Sequence, residues 1–475
     1  MDKNIRIAII GGGPAGLSAA MYLEKKGYNN YVVYEKSDHV GGKCHSPHYN
    51  GKRYEMGAIM GCPSYKAVFD CEEFGGATHE AGPKLVSEFI KPDGRPDPTW
   101  DTKSAVNHPL KYFLAHPKSA LRMKKMKKQV ERLGELLRTK YKGYDVNGHR
   151  GVSEGRYEGW QSTDVSRQHI EGVNPNLKDL ALPFDQFCEL NEVPLVKHVW
   201  ILPFIPFGYG YFDEIPAAYV LKYLDFSTMM NFMHGNLCTW AEGTQSIYEG
   251  VNNHLKHPAE LNSEITSIDR SGEKVKITVN GRVEEFDKLI VTAPLQFLPE
   301  YCDCDEEEKA LFSRIDYERY DSMAFLTKPE CYPKCSGYIV DNMTKETLGN
   351  VMIYYNRWKT PDQPLSTYVL RKRKEPGESV EAYKARAEID YKKNKEHAKK
   401  DCEKLGLPVV KEINEGAWYY FPHVFSEDYA NGWYEKMEAK QGSHNTYYAG
   451  EIMSFGDMDE TVEYSRDLVE RFFAD

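Results

Sequence analysis

The sequence predicts an α/β protein of two or more lobes, with a dinucleotide-binding βαβ unit at the start of the chain. Three observations predict it. The stretch "IIGGGPAGLSA", Ile9 to Ala19, carries Gly11, Gly13 and Gly16 in the pattern G-x-G-x-x-G directly after an apolar run. The length, 475 residues, exceeds what one hydrophobic core usually holds. The composition, 41% hydrophobic and 13% aromatic with 33 Tyr, supplies packed interiors and the walls of an apolar cavity.

In chain order, "IRIAII" reads as a short, continuously apolar strand, "LSAAMYLEKKG" as a helix ending at Gly27, and "YVVYEK" as a second strand. Together they make a Rossmann-like unit. Gly11 allows the tight turn, Gly13 lets the backbone approach a pyrophosphate at the positive helix N-terminus, and Gly16 permits close helix–strand packing. Glu35 ends the second strand, where its carboxylate can accept hydrogen bonds from an adenosine ribose. A lone glycine motif is weak evidence; strand, helix and acid in register make it specific. Further along, "ITSIDRSGEKVKITVNGRVEEFDKLIVTAP" reads as a hairpin with Asn-Gly turn chemistry followed by an apolar strand. "PFGYGYF" offers Gly208 and Gly210 without a third glycine at the required spacing, so these serve turns between aromatic elements. No second dinucleotide motif follows, which argues against a separate NADPH domain.

Charge and composition exclude several classes. A formal charge of −10 argues against nucleic acid as a partner, since phosphate contacts need clustered Lys and Arg. No apolar run approaches the ~20 residues of a membrane span. "MDKNIRIAII" enters a strand at once, without a signal-peptide pattern, so a cytoplasmic location is expected. Of the 10 Cys, the pairs Cys302/Cys304 and Cys331/Cys335 lack the usual two-residue gap, and Cys44, His45 and His48 lie beside the nucleotide motif. Reduced, scattered thiols and no metal site are expected.

The residues after Glu35 distinguish flavin from nicotinamide. "DHVGGKCHSPHYNGKRYEMGA" brings a second glycine pair, Gly41 and Gly42, and then "YEMGA". This resembles the flavin amine oxidase superfamily, in which such a pair and a following basic residue, here Lys43 where Arg is usual, lie along the FAD pyrophosphate and ribitol. The segment around Ile265 and Ala293 is similar to that superfamily's adenine-side segment, and "YYAGEIMSFGDMDETVEYSRDLVERFF" to its C-terminal flavin segment. The resemblance implies non-covalent FAD held by Gly11, Gly13, Pro14, Ala15, Gly16, Glu35, Lys36, Gly42, Lys43, Gly57, Ala58, Ile59, Ile265, Ala293, Gly450, Glu451 and Met458. Met458 would open a helix aimed at the isoalloxazine carbonyl. It also implies a discontinuous FAD domain over 1–62, 239–295 and 443–475, with a mainly helical cap over 63–238 and a sheet-containing substrate lobe over 296–442.

Longer strings, "HVGGKCHSPHYNGKRYEMGAIMG", "FGYGYFDEIPAAYVLKYLDF", "WYYFPHV" with "SEDYANGWYEK", and "NTYYAGEIMSFGDMDE", resemble the FAD-dependent polyunsaturated fatty acid isomerases. That resemblance implies a double bond of a free polyunsaturated fatty acid moved into conjugation, by hydride abstraction to FAD N5 and its return to another carbon, with no net redox. The carbon between two cis double bonds is the weak point, because losing hydride there spreads positive charge over five carbons. Aromatic faces stabilise such charge and exclude water. Trp240, Trp418, Tyr419, Tyr420, Tyr354 and Tyr355 are the candidates, each weighed against an ordinary core aromatic. The alternative is an amine oxidase, but "IDYERYDSMAFL" lacks the Lys that such oxidases commonly place near the flavin.

Burying a tail gains ~0.8 kcal/mol per methylene, so register must come from the carboxylate. In the bacterial isomerases an Arg and a Phe hold it. The Phe resembles Phe232; the Arg position falls at Ser87, so that either Lys84 or another base takes over, or the substrate is longer or differently anchored. Residues 116–143 form a basic amphipathic pattern, read either as a solvated face or as a weak contact with a membrane surface. "GHRGVSEGRYEGWQSTDVSRQ" reads as a polar loop, and "RKRKEPGESVEAYKARAEIDYKKNKEHAKKD" as a solvated charged helix.

Overall fold

The computed structural model describes residues 2–82, 114–115, 117–141, 176–333, 336–375 and 377–473. The expected strand Ile7–Ile10 is the centre of a four-stranded parallel sheet. Tyr31–Tyr34 pairs on one side of it, Lys288–Val291 on the other, and Thr446–Tyr448 beyond that. These runs are apolar without alternation because both faces of a parallel sheet are covered. On one face, the helices Pro14–Lys25, Lys66–Gly75, Gln245–His254 and Met458–Phe472 pack on one another. A Cβ on Gly75 would lie 2.6 Å from the Val251 nitrogen, so the crossing of the second and third helices needs a bare backbone there. This layer therefore takes in residues beyond Cys62, where the sequence reading ended the first segment. The Asn-Gly hairpin is present between Val275–Val279 and Arg282–Phe286, with Asn280 and Gly281 both at positive φ, as a tight two-residue turn requires.

The second sheet is antiparallel, in the order Gly337–Tyr338, Val351–Tyr355, Leu365–Arg371, Asp316–Thr327, Val409–His423. The charged helix expected from the sequence is Val380–Lys404; it covers the outer face of this sheet, where Met323, Phe325 and Val369 meet Ala398 and Cys402. The inner face turns toward the parallel sheet's domain. Register shifts at Tyr317/Glu318, and Phe421 has φ 48° where the partner strand bulges. A bulge re-aims side chains, so Tyr317 and Tyr320, three residues apart, both reach the inner side.

Short helices, among them Phe184–Leu190, Ala217–Tyr223 and Phe226–His234, form the cap. The cap is tied to the C-terminal helix by a buried ion pair, Lys222 Nζ to Glu460 Oε2 at 2.7 Å. The basic pattern of 116–143 is the helix Pro117–Arg138. The polar loop read at 148–168 lies outside the described residues. Among the described residues, no helix is long and apolar enough to cross a membrane.

Candidate active site

One cavity of ≈ 710 Å³ runs along the junction of the two sheets and the cap. Its wall includes Gly11, Gly13, Pro14, Ala15, Glu35, Lys36, Gly42, Lys43, Gly57, Ala58, Ile59, Ile265, Ala293, Gly450, Glu451 and Met458. Residues from the beginning, middle and end of the chain thus meet on one surface. Gly16 stands behind it: a Cβ there would lie 1.9 Å from the Gly11 carbonyl oxygen, so only glycine lets the helix sit this close to the strand.

The glycine-lined part of the cavity is bare backbone. Gly13 caps the helix Pro14–Lys25 without a side chain, leaving the first-turn N–H groups free of side-chain partners. Gly42, at φ +54°, faces it closely enough that a Cβ would lie 3.2 Å from Gly13 Cα. Gly450, at φ +96°, completes the wall against the Thr292 carbonyl. The Glu35 carboxylate is fixed by the backbone N–H groups of Gly12, at 2.6 Å, and Ser37, at 2.8 Å. Lys43 Nζ meets Glu451 Oε2 at 2.5 Å, joining the first and last segments of the chain. A cradle filled by any side chain, donors at a helix N-terminus and a fixed carboxylate suit the phosphates and ribose of a dinucleotide.

Beneath it, Glu55 is fully buried. It accepts from Ser46 Oγ at 2.6 Å and Thr244 N at 3.0 Å, and burial pushes its carboxyl up to about 7. Thr244 Oγ1 also donates to the Ala58 carbonyl, and Tyr368 Oη to that of Glu55, so this knot holds the Gly57–Ile59 stretch in place.

The rest of the wall is aromatic. Trp418, Tyr420 and Pro422 alternate along one strand and all face the cavity. Tyr320 stacks on Tyr368 at 5.5 Å and on Tyr420 at 5.4 Å between ring centres. From the cap come Phe207, Tyr209, Tyr223 and Phe232, with Tyr209 to Tyr223 at 4.8 Å. Burial holds the phenols of Tyr209, Tyr223 and Tyr320 well above their usual range, so they stay neutral and supply no base. Asp457 also lines the cavity, and caps the C-terminal helix through the Glu460 N–H at 2.8 Å.

Of the substrate residues expected from the sequence, Phe232 and Trp418 line the cavity; Lys84 and Ser87 lie outside the described residues. Two others are elsewhere, which corrects the expectation. Trp240 is buried behind Gly61, its Nε1 donating to Glu72 Oε2 at 2.8 Å. Tyr354 packs on the outer face of the antiparallel sheet with Ala398 and Cys402. Tyr355 is buried without reaching the cavity, and Tyr419 is 40% exposed because it alternates with Trp418 and Tyr420. The sequence reading missed Tyr209, Tyr223, Tyr320 and Tyr368. The alternating aromatics of "PFGYGYF" were a usable signal for the first.

No group of His, Cys, Asp and Glu among the described residues could hold a metal ion. The fold and glycine cradle agree with the comparison of the whole chain: residues 14–463 match the flavin containing amine oxidoreductase family. The chain belongs to that family. Its cofactor is FAD. Among solved structures, a CLA-producing fatty acid isomerase from P. acnes is 46% identical, with TM-score 0.83 and 100% of each chain covered. The polyenoic fatty acid isomerase of Ptilota filicina is 25% identical over 282 residues, 57% of this chain. That match spans about half of the relative's length, 51%. A putrescine oxidase bound to putrescine, 15% identical with TM-score 0.67 over 99% of each chain, shares the fold.

Proposed function

We propose that this flavoprotein moves a double bond of a free polyunsaturated fatty acid into conjugation with no net oxidation. The observation that carries the reading is the full-length, 46% identity to a fatty acid isomerase, joined to a cavity whose wall beyond the glycines is aromatic. Gly13, Gly42, Glu35, Lys43 and Glu451 would hold FAD, together with Met458, which opens a helix at the same cavity. When bound, the flavin supplies a site that takes up a hydride and gives it back.

The chain's own part is positioning and exclusion. Phe207, Phe232 and Tyr223 give a hydrocarbon tail a surface on which each buried methylene gains ~0.8 kcal/mol. The stacked rings of Tyr320, Tyr368 and Tyr420 offer π faces to charge developing on the pentadienyl carbons, and keep out water that would trap it. The phenols of Tyr209, Tyr223 and Tyr320, being neutral, do not themselves divert the reaction by proton removal. Among the described residues lining the cavity the cations are Lys36, next to Glu35 at the glycine-lined end, and Lys43, which already meets Glu451 and so is not a ready anchor for a fatty carboxylate.

The test is anaerobic incubation of FAD-loaded protein with linoleic, α-linolenic and arachidonic acids, following conjugated-diene absorbance and the flavin spectrum. Catalytic diene formation ending with oxidised flavin, and no peroxide on aeration, is expected. Stoichiometric bleaching followed by peroxide would replace this reading with an oxidase, the amine oxidases being the first to try.

A further inference from the structure

The helix Pro117–Arg138 has two unlike faces. Val130, Leu133 and Leu137 are buried, and the helix is anchored to the cap by Arg132 Nε on the Asn191 carbonyl at 3.0 Å and by Gln129 Oε1, which accepts from Leu195 N at 2.7 Å. The opposite face points to solvent. Leu121, Lys124, Lys125 and Lys128, spaced i, i+3, i+4 and i+7, share it and are all exposed. Along the whole helix eight Lys and Arg stand against Glu131 and Glu135, in a chain whose net charge is −10.

The charge is one observation and the leucines are another. Leu114, just before the helix, at 75% and Leu121, on it, at 72% are the most exposed large apolar side chains among the described residues. A helix that merely solvates itself gains nothing by holding leucines in water among lysines. A negatively charged interface with an apolar layer just below it accommodates both: lysines meet the headgroups and leucines enter the acyl boundary.

We propose that this face of Pro117–Arg138 docks the cap on an anionic lipid bilayer. The partner is the membrane surface itself, chosen over a soluble polyanion because a polyanion would leave Leu114 and Leu121 unburied. Such a surface is also where a free fatty acid dissolves, so docking would set the cap against the substrate's reservoir. That last link rests on the fatty-acid reading above; the docking does not.

The experiment is co-sedimentation of the full-length, FAD-loaded protein with vesicles of phosphatidylcholine alone and of phosphatidylcholine mixed with phosphatidylglycerol, without substrate. Binding to the mixed vesicles only is expected, and its loss toward 1 M salt, where screening shortens to about 3 Å. Each lysine at such a surface strengthens partitioning about fivefold, so replacing Lys124, Lys125, Lys127 and Lys128 with Gln should weaken it by roughly 100-fold or more. Leu121→Ser should weaken it by about tenfold while leaving its salt dependence intact. Gln and Ser at exposed helical positions keep the fold, as an unchanged Tm and flavin spectrum would certify.

Equal sedimentation with both vesicles, none with either, or full binding by the four-Gln variant overturns the proposal. So does displacement from vesicles by an equal concentration of single-stranded RNA, which would assign the patch to nucleic acid. Because no turnover is measured, failure here leaves the isomerase reading standing, and failure of diene formation leaves the docking standing.

Discussion

Around Glu35 the cavity wall is backbone, whereas around Phe232 it is aromatic side chain. The first part is made by what glycines omit: Gly13, Gly42 and Gly450 leave N–H and carbonyl groups bare, and Gly16 lets a helix close on a strand. The second is made by what Tyr209, Tyr223, Tyr320, Tyr368 and Tyr420 add. At Gly16 and Gly450 a methyl group would press on backbone atoms 1.9 Å and 3.0 Å away, which cannot move aside, so these positions tolerate almost no substitution. Side-chain surfaces deform, so changes there should grade activity rather than abolish the holoprotein.

The sharpest way to break that contrast is Gly16→Ala. With its Cβ 1.9 Å from the Gly11 oxygen, this variant is expected to yield no FAD-loaded protein, read as the ratio of flavin absorbance to protein. Normal loading would mean the helix can lift from the strand, and the backbone part of the wall is softer than described.

Next in size is the buried Glu55 beneath the glycine-lined part. Its folded carboxyl titrates at about 7, above its unfolded value, so its contribution to stability is full below the unfolded pKa and drains as pH rises through about 7. The shift corresponds to roughly 3 kcal/mol at most. Glu318, also pushed to about 7 by burial, adds a slope of the same sign. Glu55→Gln, which cannot ionise, should flatten the fall in Tm between about pH 5 and 8. Parallel Tm–pH curves for the two proteins would show that Glu55 is already charged in the fold.

Phe232→Ala probes the aromatic part. FAD loading should stay unchanged while kcat/KM for the fatty acid falls by about tenfold, reflecting ~1.5 kcal/mol of lost apolar contact. A parallel loss of flavin would erase the distinction between the two parts. The smallest effect is expected from Trp240→Phe, which keeps the ring and loses one hydrogen bond to Glu72: about 1 kcal/mol of stability, read by denaturant melts, with kcat/KM intact. A clear fall in activity would return Trp240 to the substrate wall.

The same contrast explains what was legible in the sequence. Gly11, Gly13, Gly16 and Glu35 act within one βαβ unit, so their spacing alone announces them. The aromatic wall is assembled from strands and cap segments hundreds of residues apart, and which face a tyrosine takes depends on register. Period two would have separated Tyr419 from Trp418 and Tyr420, since neighbours on a strand point oppositely. It would not have united Tyr317 with Tyr320, because the intervening bulge leaves no mark in "DYERYD". Trp240 and Tyr354 were attractive for their residue type, and what removed them from the wall was tertiary: a hydrogen bond to Glu72 in one case, and a covering helix in the other.

The bond between Lys43 and Glu451 joins residues 408 positions apart, and the strand Thr446–Tyr448 and helix Met458–Phe472 supply the last wall of the cradle. The N-terminal βαβ unit comes first in the chain, but its sheet lacks the fourth strand, and its helix the partner Met458–Phe472, until a segment some 408 positions further on joins it. A flavin therefore meets a finished cradle only once the strand Thr446–Tyr448 and the helix Met458–Phe472 have joined the N-terminal unit. Closing the domain means closing a loop of some 408 residues, and contacts of such high sequence separation slow folding, so refolding is expected to respond to added free FAD, read as the rate of flavin uptake.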